Sequence, residues 1–284
     1  MQRRRLVRVP ASSANLGPGF DAFAAALALH MELEVRETPG TFAVETTLAI
    51  SRDRRNLAVR GFERLHPAEG FTFRITSEIP LCGGLGTSAA AYVAGLAAAD
   101  SMFELDADLL AHATALEGHP DNVAAALLGG FVICADGCAT RLDAPDGLEA
   151  VLVAPHEAVR TSQARAVMPA QVPIGEAVFN VAHGALLAAG LASGDFDLIS
   201  RGLADRLHQD RRGHLFPRST EIVRCARDLG ALGATISGAG PTVLVWTRID
   251  TTGAVVEALR PLCAGWAEVI RAPFEGAGAD VREL

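Results

Sequence analysis

The spacing of hydrophobic and polar positions changes along the chain, and each change predicts an element. From Leu27 to Val35, Leu27, Leu29, Met31, Leu33 and Val35 alternate with Ala28, His30, Glu32 and Glu34, the period of two of a half-buried strand. Residues 5–10, Phe42–Thr47 and Phe71–Thr76 read as further strands, with a helix over Asn56–Leu65 between the last two. The run SAAAYVAGLAAADSMF, Ser88–Phe103, predicts a helix of small residues that can pack closely. Asp106 is the expected N-cap of a second helix, which Gly118 ends. A strand over Phe131–Ala135 follows, and the turn-forming segment 136–147 marks the expected domain boundary, dividing the chain into 1–147 and 148–284. Beyond it come an apolar strand, Ala150–Ala154, and helices over 175–192, 195–208 and 219–229, the last capped by Ser219 and stopped by Gly230. Strands Ala234–Ser237 and Val243–Thr247 flank a glycine-rich turn, and a helix and a strand complete the pattern. Strands and helices mix without a regular βαβ repeat, which predicts an α+β protein in two domains.

Composition narrows what such a protein does. Half of the 284 residues are hydrophobic and 20% are charged, enough to build a core. A net charge of −8 argues against a general nucleic-acid binder. Arg3-Arg4-Arg5 is locally basic, but the short, broken run after it is not the apolar core of a signal peptide. No apolar run of about 18–20 residues stands out, so neither a membrane nor a nucleic acid is an expected partner and the expected location is cytoplasmic. Cys82, Cys134, Cys138, Cys225 and Cys263 form no C-x-x-C pair and read as buried small hydrophobes. All 25 basic residues are arginine. Without lysine, a Walker A loop, a protein-kinase fold and Schiff-base chemistry are all excluded.

The strongest local signal is Pro80-Leu81-Cys82-Gly83-Gly84-Leu85-Gly86-Thr87-Ser88-Ala89. Its glycines permit positive φ and close approach of a ligand. Its N–H groups can form an anion nest, with the positive end of the following helix aimed at the same point. Thr87 and Ser88 add hydroxyls for phosphate or Mg²⁺. A plain glycine-rich turn with a Ser/Thr N-cap would look similar, so this segment alone leaves the matter open.

The loop resembles the second motif of the GHMP kinases, P-x-x-x-GLGSSAA, with Thr87 in place of serine. Ser237-Gly238-Ala239-Gly240-Pro241-Thr242 resembles the third motif, and Pro10-Ala11-Ser12-Ser13-Ala14-Asn15-Leu16-Gly17-Pro18-Gly19-Phe20-Asp21 occupies the place of the first. That first string is similar to the homoserine kinase branch rather than to the galactokinase-like or mevalonate-like ones, which carry G-E-H. Glu117-Gly118-His119-Pro120-Asp121-Asn122, the Thr161–Pro169 region and Leu207-His208-Gln209-x-x-Arg212 resemble the same branch. Ala24, Ala125 and Ala239 depart from its usual glycine, proline and serine, and Cys82 sits within the phosphate loop; none of these removes a group of the expected substrate site.

The resemblance implies a two-domain GHMP fold, its N-terminal ATP-binding domain like domain 2 of ribosomal protein S5 and its C-terminal domain ferredoxin-like. It implies ATP and Mg²⁺ as cofactors, L-homoserine as acceptor and a homodimer. Asn56, Pro80, Gly83, Gly84, Leu85, Gly86, Thr87, Ser88 and Ala89 would hold the nucleotide, and Glu117 with Thr87 and Ser88 the metal. Adenine would lie between Asn56 and the loop leading to Pro80. Asn15, Asp21, His119, Arg165, Arg212 and Gly238 would hold the acceptor. Asn15, Asp21, Asp121 and Asn122 would form the catalytic set, with the role of Asp121 open. The chemistry agrees: a zwitterionic amino acid needs an anion such as Asp21 for its ammonium and planar cations such as Arg165 and Arg212 for its carboxylate. Arg211, off the pattern, is expected to be a solvated charge. A GHMP kinase for another small hydroxylated metabolite, threonine for example, and a non-catalytic ligand sensor remain as alternatives.

Overall fold

The computed structural model describes residues 3–159 and 161–284. In chain order the elements are β1 (Arg4–Ala14), β2 (Phe23–Glu37), β3 (Ala43–Thr46), α1 (Leu57–Glu63), β4 (Phe71–Ser77), α2 (Thr87–Phe103), α3 (Leu109–Glu117), α4 (Pro120–Leu128), β5 (Phe131–Ala135), β6 (Cys138–Leu142) and β7 (Leu148–Pro155). Then follow α5 (Thr161–Ala166), α6 (Ile174–Ser193), α7 (Phe196–Gly202), α8 (Gln209–Arg212), α9 (Pro217–Cys225), β8 (Gly233–Ile236), β9 (Val243–Arg248), α10 (Thr252–Cys263), β10 (Ala267–Arg271) and β11 (Asp280–Glu283).

The first sheet runs β11-β1-β2-β4-β3, with β5 pairing β2 and β6 pairing β5; the second runs β10-β7-β9-β8. Two mainly antiparallel sheets with helices packed on them give the expected α+β class. Segment 136–147, read as a turn-rich domain boundary, carries β6, which pairs Leu142 with Phe131 and belongs to the first sheet. The last strand also returns there, pairing Arg5 with Glu283. One hydrophobic core runs from Val9, Leu33 and Phe73 of the first sheet to Leu152 and Trp246 of the second, so the halves share their interior.

Strand β1 runs four residues past its expected end. Ala11, Ser12, Ser13 and Ala14 pair with Leu27 to Ala24 after a register shift at Pro10/Ala11, and all four are buried. Two serines after a proline hide this stretch from a hydrophobic period, yet it carries the first motif into the centre of the molecule. On the next strand, Leu27, Met31, Leu33 and Val35 are buried as the alternation predicts, but near the register shift Leu29 is only partly buried and His30 is buried instead. Helix α2 is buried almost all round, consistent with its small residues. A Cβ on Gly95 would overlap the Ala58 carbonyl of α1, so this glycine lets the two helices touch backbone to backbone.

Three expectations about helix ends are corrected. Asp108 rather than Asp106 caps α3, its side chain accepting from Ala111 N–H, because Asp106 sits at φ 51° in the turn before it. Helix α9 starts at Pro217 after Phe216, and Ser219 is buried with its hydroxyl on the Pro241 carbonyl. The helix expected over 195–208 ends as α7 at Gly202, since Asp205 draws the next residues into a turn. Among the cysteines, Cys138 is exposed rather than buried. Helix α6 is long and apolar enough to cross a membrane by length and composition alone, which the sequence pattern did not bring out. Here it carries Asn180, buried in polar contacts, on the face that packs toward α7.

Alanine at position 95 gains up to about 1 kcal/mol of helix propensity, but the overlap with Ala58 should cost about 1–3 kcal/mol more than that gain. Gly95→Ala is therefore expected to lower the urea midpoint with an unchanged slope, and an unchanged or raised midpoint would show that α1 can move aside.

Candidate active site

The site is an open cleft of about 250 Å³ where the first sheet, the phosphate loop and the glycine turn of the second sheet meet. Its lining includes Asn15, Asp21, Gly83, Gly84, Leu85, Gly86, Thr87, Ser88, Glu117, His119, Asp121, Asn122, Arg165, Arg212 and Gly238. Residues spread over more than 220 positions of sequence thus come together. Asn56, Pro80 and Ala89 do not line it: Asn56 is buried as the N-cap of α1, accepting from Ala58 N–H at 3.0 Å and donating to the Ser51 carbonyl at 2.8 Å, and Ala89 is buried in α2.

The loop is built by its glycines. Gly83, Gly84 and Gly86 all have positive φ. A side chain on Gly84 would overlap the Ser237 carbonyl, and one on Gly86 the Ser12 hydroxyl. The third motif props the loop from behind: the Ser237 hydroxyl bonds the Gly84 carbonyl, and Thr242 Oγ1 donates to the Gly83 carbonyl at 2.6 Å. Cys82 Sγ lies 3.3 Å from the same Thr242 oxygen, and burial pushes its thiol pKa up. Gly86, the N-cap of α2, offers no side-chain acceptor, so the first N–H groups of a 17-residue helix are left for a ligand.

Beside that helix start, Ser88 Oγ donates to Glu117 Oε2 at 2.6 Å. Two oxygens a hydrogen bond apart, one a carboxylate, suit a hard cation completed by phosphate and water oxygens. Among the described residues no group of three or more His, Cys, Asp or Glu forms a protein-only cage. Helix α4, which the sequence reading did not separate, starts at Pro120 and presents His119, Asp121 and Asn122 to the cleft. Asn122 Oδ1 accepts from Ser12 Oγ at 2.8 Å, and Asp121 Oδ1 from Asn122 N–H at 2.7 Å. Burial pushes the pKa of Asp121 from 3.8 to about 6. Burial, with the Arg165 charge adding to it, lowers that of His119.

The wall of the cleft that carries Asn15, Asp21, Arg165 and Arg212 is charged. Asn15, at φ 70°, donates through Nδ2 to the Gly238 carbonyl at 2.7 Å and accepts at Oδ1 from Asp21 N–H at 2.9 Å, tying the first motif to the third. Asp21 and Arg165 form a two-pronged ion pair at 2.7 and 3.1 Å, while Arg165 Nε is buried with no hydrogen-bond partner among the described residues. The two residues expected to meet a ligand separately thus meet each other. Arg212 is 1% exposed and has no ion pair among the described residues; its Nε donates to the Ala164 carbonyl at 3.0 Å and its Nη1 to Gly238 at 3.2 Å. Burial, followed by the neighbouring Arg165 charge, lowers its pKa. Arg211, expected in solvent, instead pairs with Glu176 of α6 and donates to the Leu207 carbonyl at 2.7 Å.

The sequence reading missed Ser12, Ser13, Ser237 and Thr242 as individual supports, although hydroxyls inside buried motif strings were a usable signal. It also gave no role to His208 or Phe20, although both stand inside the motif strings.

Asp121 yields a pH prediction. Its folded pKa is raised, so the folded state disfavours the ionised form and loses stability as pH climbs from 3.8 through about 6. A rise of that size corresponds to about 3 kcal/mol above pH 6. Asp121→Asn keeps an acceptor for Asn122 N–H, so it should unfold at higher denaturant than the parent at pH 8, with the gain vanishing near pH 4. A gain of equal size at both pH values would place its origin elsewhere.

Comparison with known proteins agrees with this geometry. The family model for the GHMP kinases N terminal domain matches residues 54–130, and that for GHMP kinases C terminal matches 187–268. A homoserine kinase of Moorella thermoacetica is 41% identical, with 86% of this chain and 87% of that protein covered. One from Gloeobacter violaceus is 42% identical, with 89% and 91% covered. The crystal structure of homoserine kinase from Cytophaga hutchinsonii superposes with a TM-score of 0.87 at 29% identity, covering 99% of this chain and 98% of that one. A cleft that assembles all three motifs, two matching family models and relatives at this identity over most of the chain lead to one conclusion: the chain belongs to the GHMP kinases, in the homoserine kinase family.

Proposed function

We propose that the protein transfers the γ-phosphate of ATP to the side-chain hydroxyl of L-homoserine, giving O-phospho-L-homoserine and ADP, a step toward threonine. The observation that carries the reading is one cleft with an anion-binding loop on one wall and, on the other, Asn15, Asp21, Arg165 and Arg212. The homoserine kinase relatives, matched over 87% and 91% of their own length, support it.

The charge arrangement favours a zwitterion. Asp21 and Arg165 neutralise each other across the wall of the cleft. An amino acid can exchange into that pair, its ammonium taking Asp21 and its carboxylate taking Arg165 and Arg212, without leaving a buried charge unmatched. A ligand with only one of those charges would strand the other half. Asn15, fixed from both sides, is placed to hold the hydroxyl. His119, Asp121 and Asn122 bound the space between this wall and the loop.

On the nucleotide side, residues 83–88 and the start of α2 would hold the triphosphate, with adenine toward Asn56 and Pro80. Magnesium would be held by Glu117 and Ser88, with Thr87 beside them; when bound it neutralises charge developing on the phosphoryl oxygens. Without lysine in the chain, that work falls to backbone N–H groups, the helix dipole and the ion.

Two outcomes are expected. In an ADP-release assay homoserine should exceed threonine, serine, shikimate and mevalonate in kcat/KM. Arg212→Ala should lower the homoserine value at least about tenfold with the KM for ATP unchanged, since a charge-assisted pair is worth about 1.5–3 kcal/mol. Lysine should rescue poorly, lacking the planar fork. Turnover of mevalonate alone would overturn the reading. For the metal, Glu117→Gln should retain nucleotide binding but cut kcat sharply and raise the Mg²⁺ needed for half-maximal rate; a variant with parent kinetics at limiting Mg²⁺ would make Glu117 purely structural.

A further inference from the structure

Behind the acceptor wall lies a polar network that no part of the phosphoryl transfer uses directly. His208 is completely buried, yet both ring nitrogens are engaged: Nε2 lies 2.8 Å from the Gly17 carbonyl and Nδ1 3.4 Å from Arg212 Nη1. A guanidinium only donates, so Nδ1 is the acceptor and Nε2 carries the proton given to Gly17. The ring is thus a neutral imidazole of one defined tautomer. Its backbone is set by Asp205, whose Oδ2 accepts from the N–H groups of His208 and Gln209 at 2.9 and 2.8 Å, and whose Oδ1 accepts from Asn180 at 2.7 Å. Asn180 also donates to the Pro18 carbonyl at 3.1 Å. The first-motif loop is therefore gripped at Gly17 and Pro18 by the same network that reaches Arg212.

Phe20 sits on the other side. Its ring lies 5.4 Å from the His208 imidazole, and the guanidinium carbons of Arg212 and Arg165 stand 5.1 and 5.8 Å from its centroid. Both arginines of the acceptor wall thus rest on one aromatic platform, an arrangement that orients a guanidinium without consuming its hydrogen-bond donors. For Arg212 the bonds given by the structure occupy Nε and Nη1, and Nη2 carries none among the described residues. A cation held on one edge and underneath presents its remaining edge in a defined direction.

We propose that His208 and Phe20 are positioning residues for the carboxylate clamp, His208 by accepting from Arg212 while anchoring Gly17, Phe20 by supporting both guanidinium groups. The inference rests on the acceptor reading above and adds that the clamp's selectivity is set by two residues that never touch the substrate. The pair acts on the carboxylate alone. Loss of either should penalise a ligand with a carboxylate and spare one without it.

The test uses the full-length protein with L-homoserine and with homoserinol, in which CH₂OH replaces the carboxylate. Glutamine at 208 can keep the donor to Gly17 but lacks the acceptor at the Nδ1 position, whereas asparagine keeps an acceptor there. His208→Gln is expected to lower kcat/KM for homoserine about tenfold, mainly through KM, and to leave homoserinol and the KM for ATP nearly unchanged. His208→Asn should recover much of the loss, and Phe20→Leu should repeat the selective loss. Combining His208→Gln with Arg212→Ala should cost no more than Arg212→Ala alone, because both remove one interaction. Equal losses on homoserine and homoserinol, or additive losses in the double variant, would overturn the proposal by showing general loosening. Parent-like homoserine kinetics in a folded His208→Gln would overturn it as well. If the parent itself failed to use homoserine, the acceptor reading would fall and this proposal with it; a parent that used homoserine beside an unselective His208→Gln would sink the proposal alone.

Discussion

The structure depends on a contact between two glycine-rich turns that are about 150 residues apart in sequence. Ser237 and Thr242 take the carbonyls of Gly84 and Gly83, and Gly238 N–H returns to the Ala14 carbonyl at 3.0 Å. With those carbonyls committed to the protein, the loop's N–H groups are the donors left to face the cleft. The same contact seats the second sheet against the first and puts Gly238 within reach of Asn15 and Arg212. A glycine loop alone is flexible and has no reason to hold an anion-binding shape; here a buried hydroxyl pair supplies that reason.

Charge is handled by the same economy. The chain is acidic overall and has no lysine, so its local cations are arginines. Burial makes them costly unless something compensates. Arg165 is compensated by Asp21, and Arg212 by carbonyls, a neutral histidine and an aromatic face. The second solution leaves Arg212 with no ion pair among the described residues.

Much of the site was legible because its chemistry is written in short strings. Gly83–Ser88, Glu117–Asn122 and Ser237–Thr242 each need particular residue types at fixed spacing, and the fold brings them to one cleft. What escaped had no local signature. The end of β1 is polar in sequence and buried in fact; Asp108 outcompeted Asp106 for the cap; Arg211 found Glu176 on a helix more than 30 positions away. Each depends on a partner that local pattern does not name.

By itself the sequence determined the elements with clear periods, the small-residue helix α2, the glycine positions where positive φ is required, and the exclusion of lysine-based phosphate chemistry. These are properties of a residue and its near neighbours, so they survive without tertiary context. Only the tertiary structure decided that Asp21 and Arg165 pair with each other, that Asn56 spends its amide on a helix cap, that β11 returns to the first sheet, and that His208 and Phe20 stand beneath the arginines. The physical reason is the same in each case: hydrogen bonds and ion pairs are decided by which groups burial brings within about 3 Å of each other, and that distance is set by packing across the whole chain.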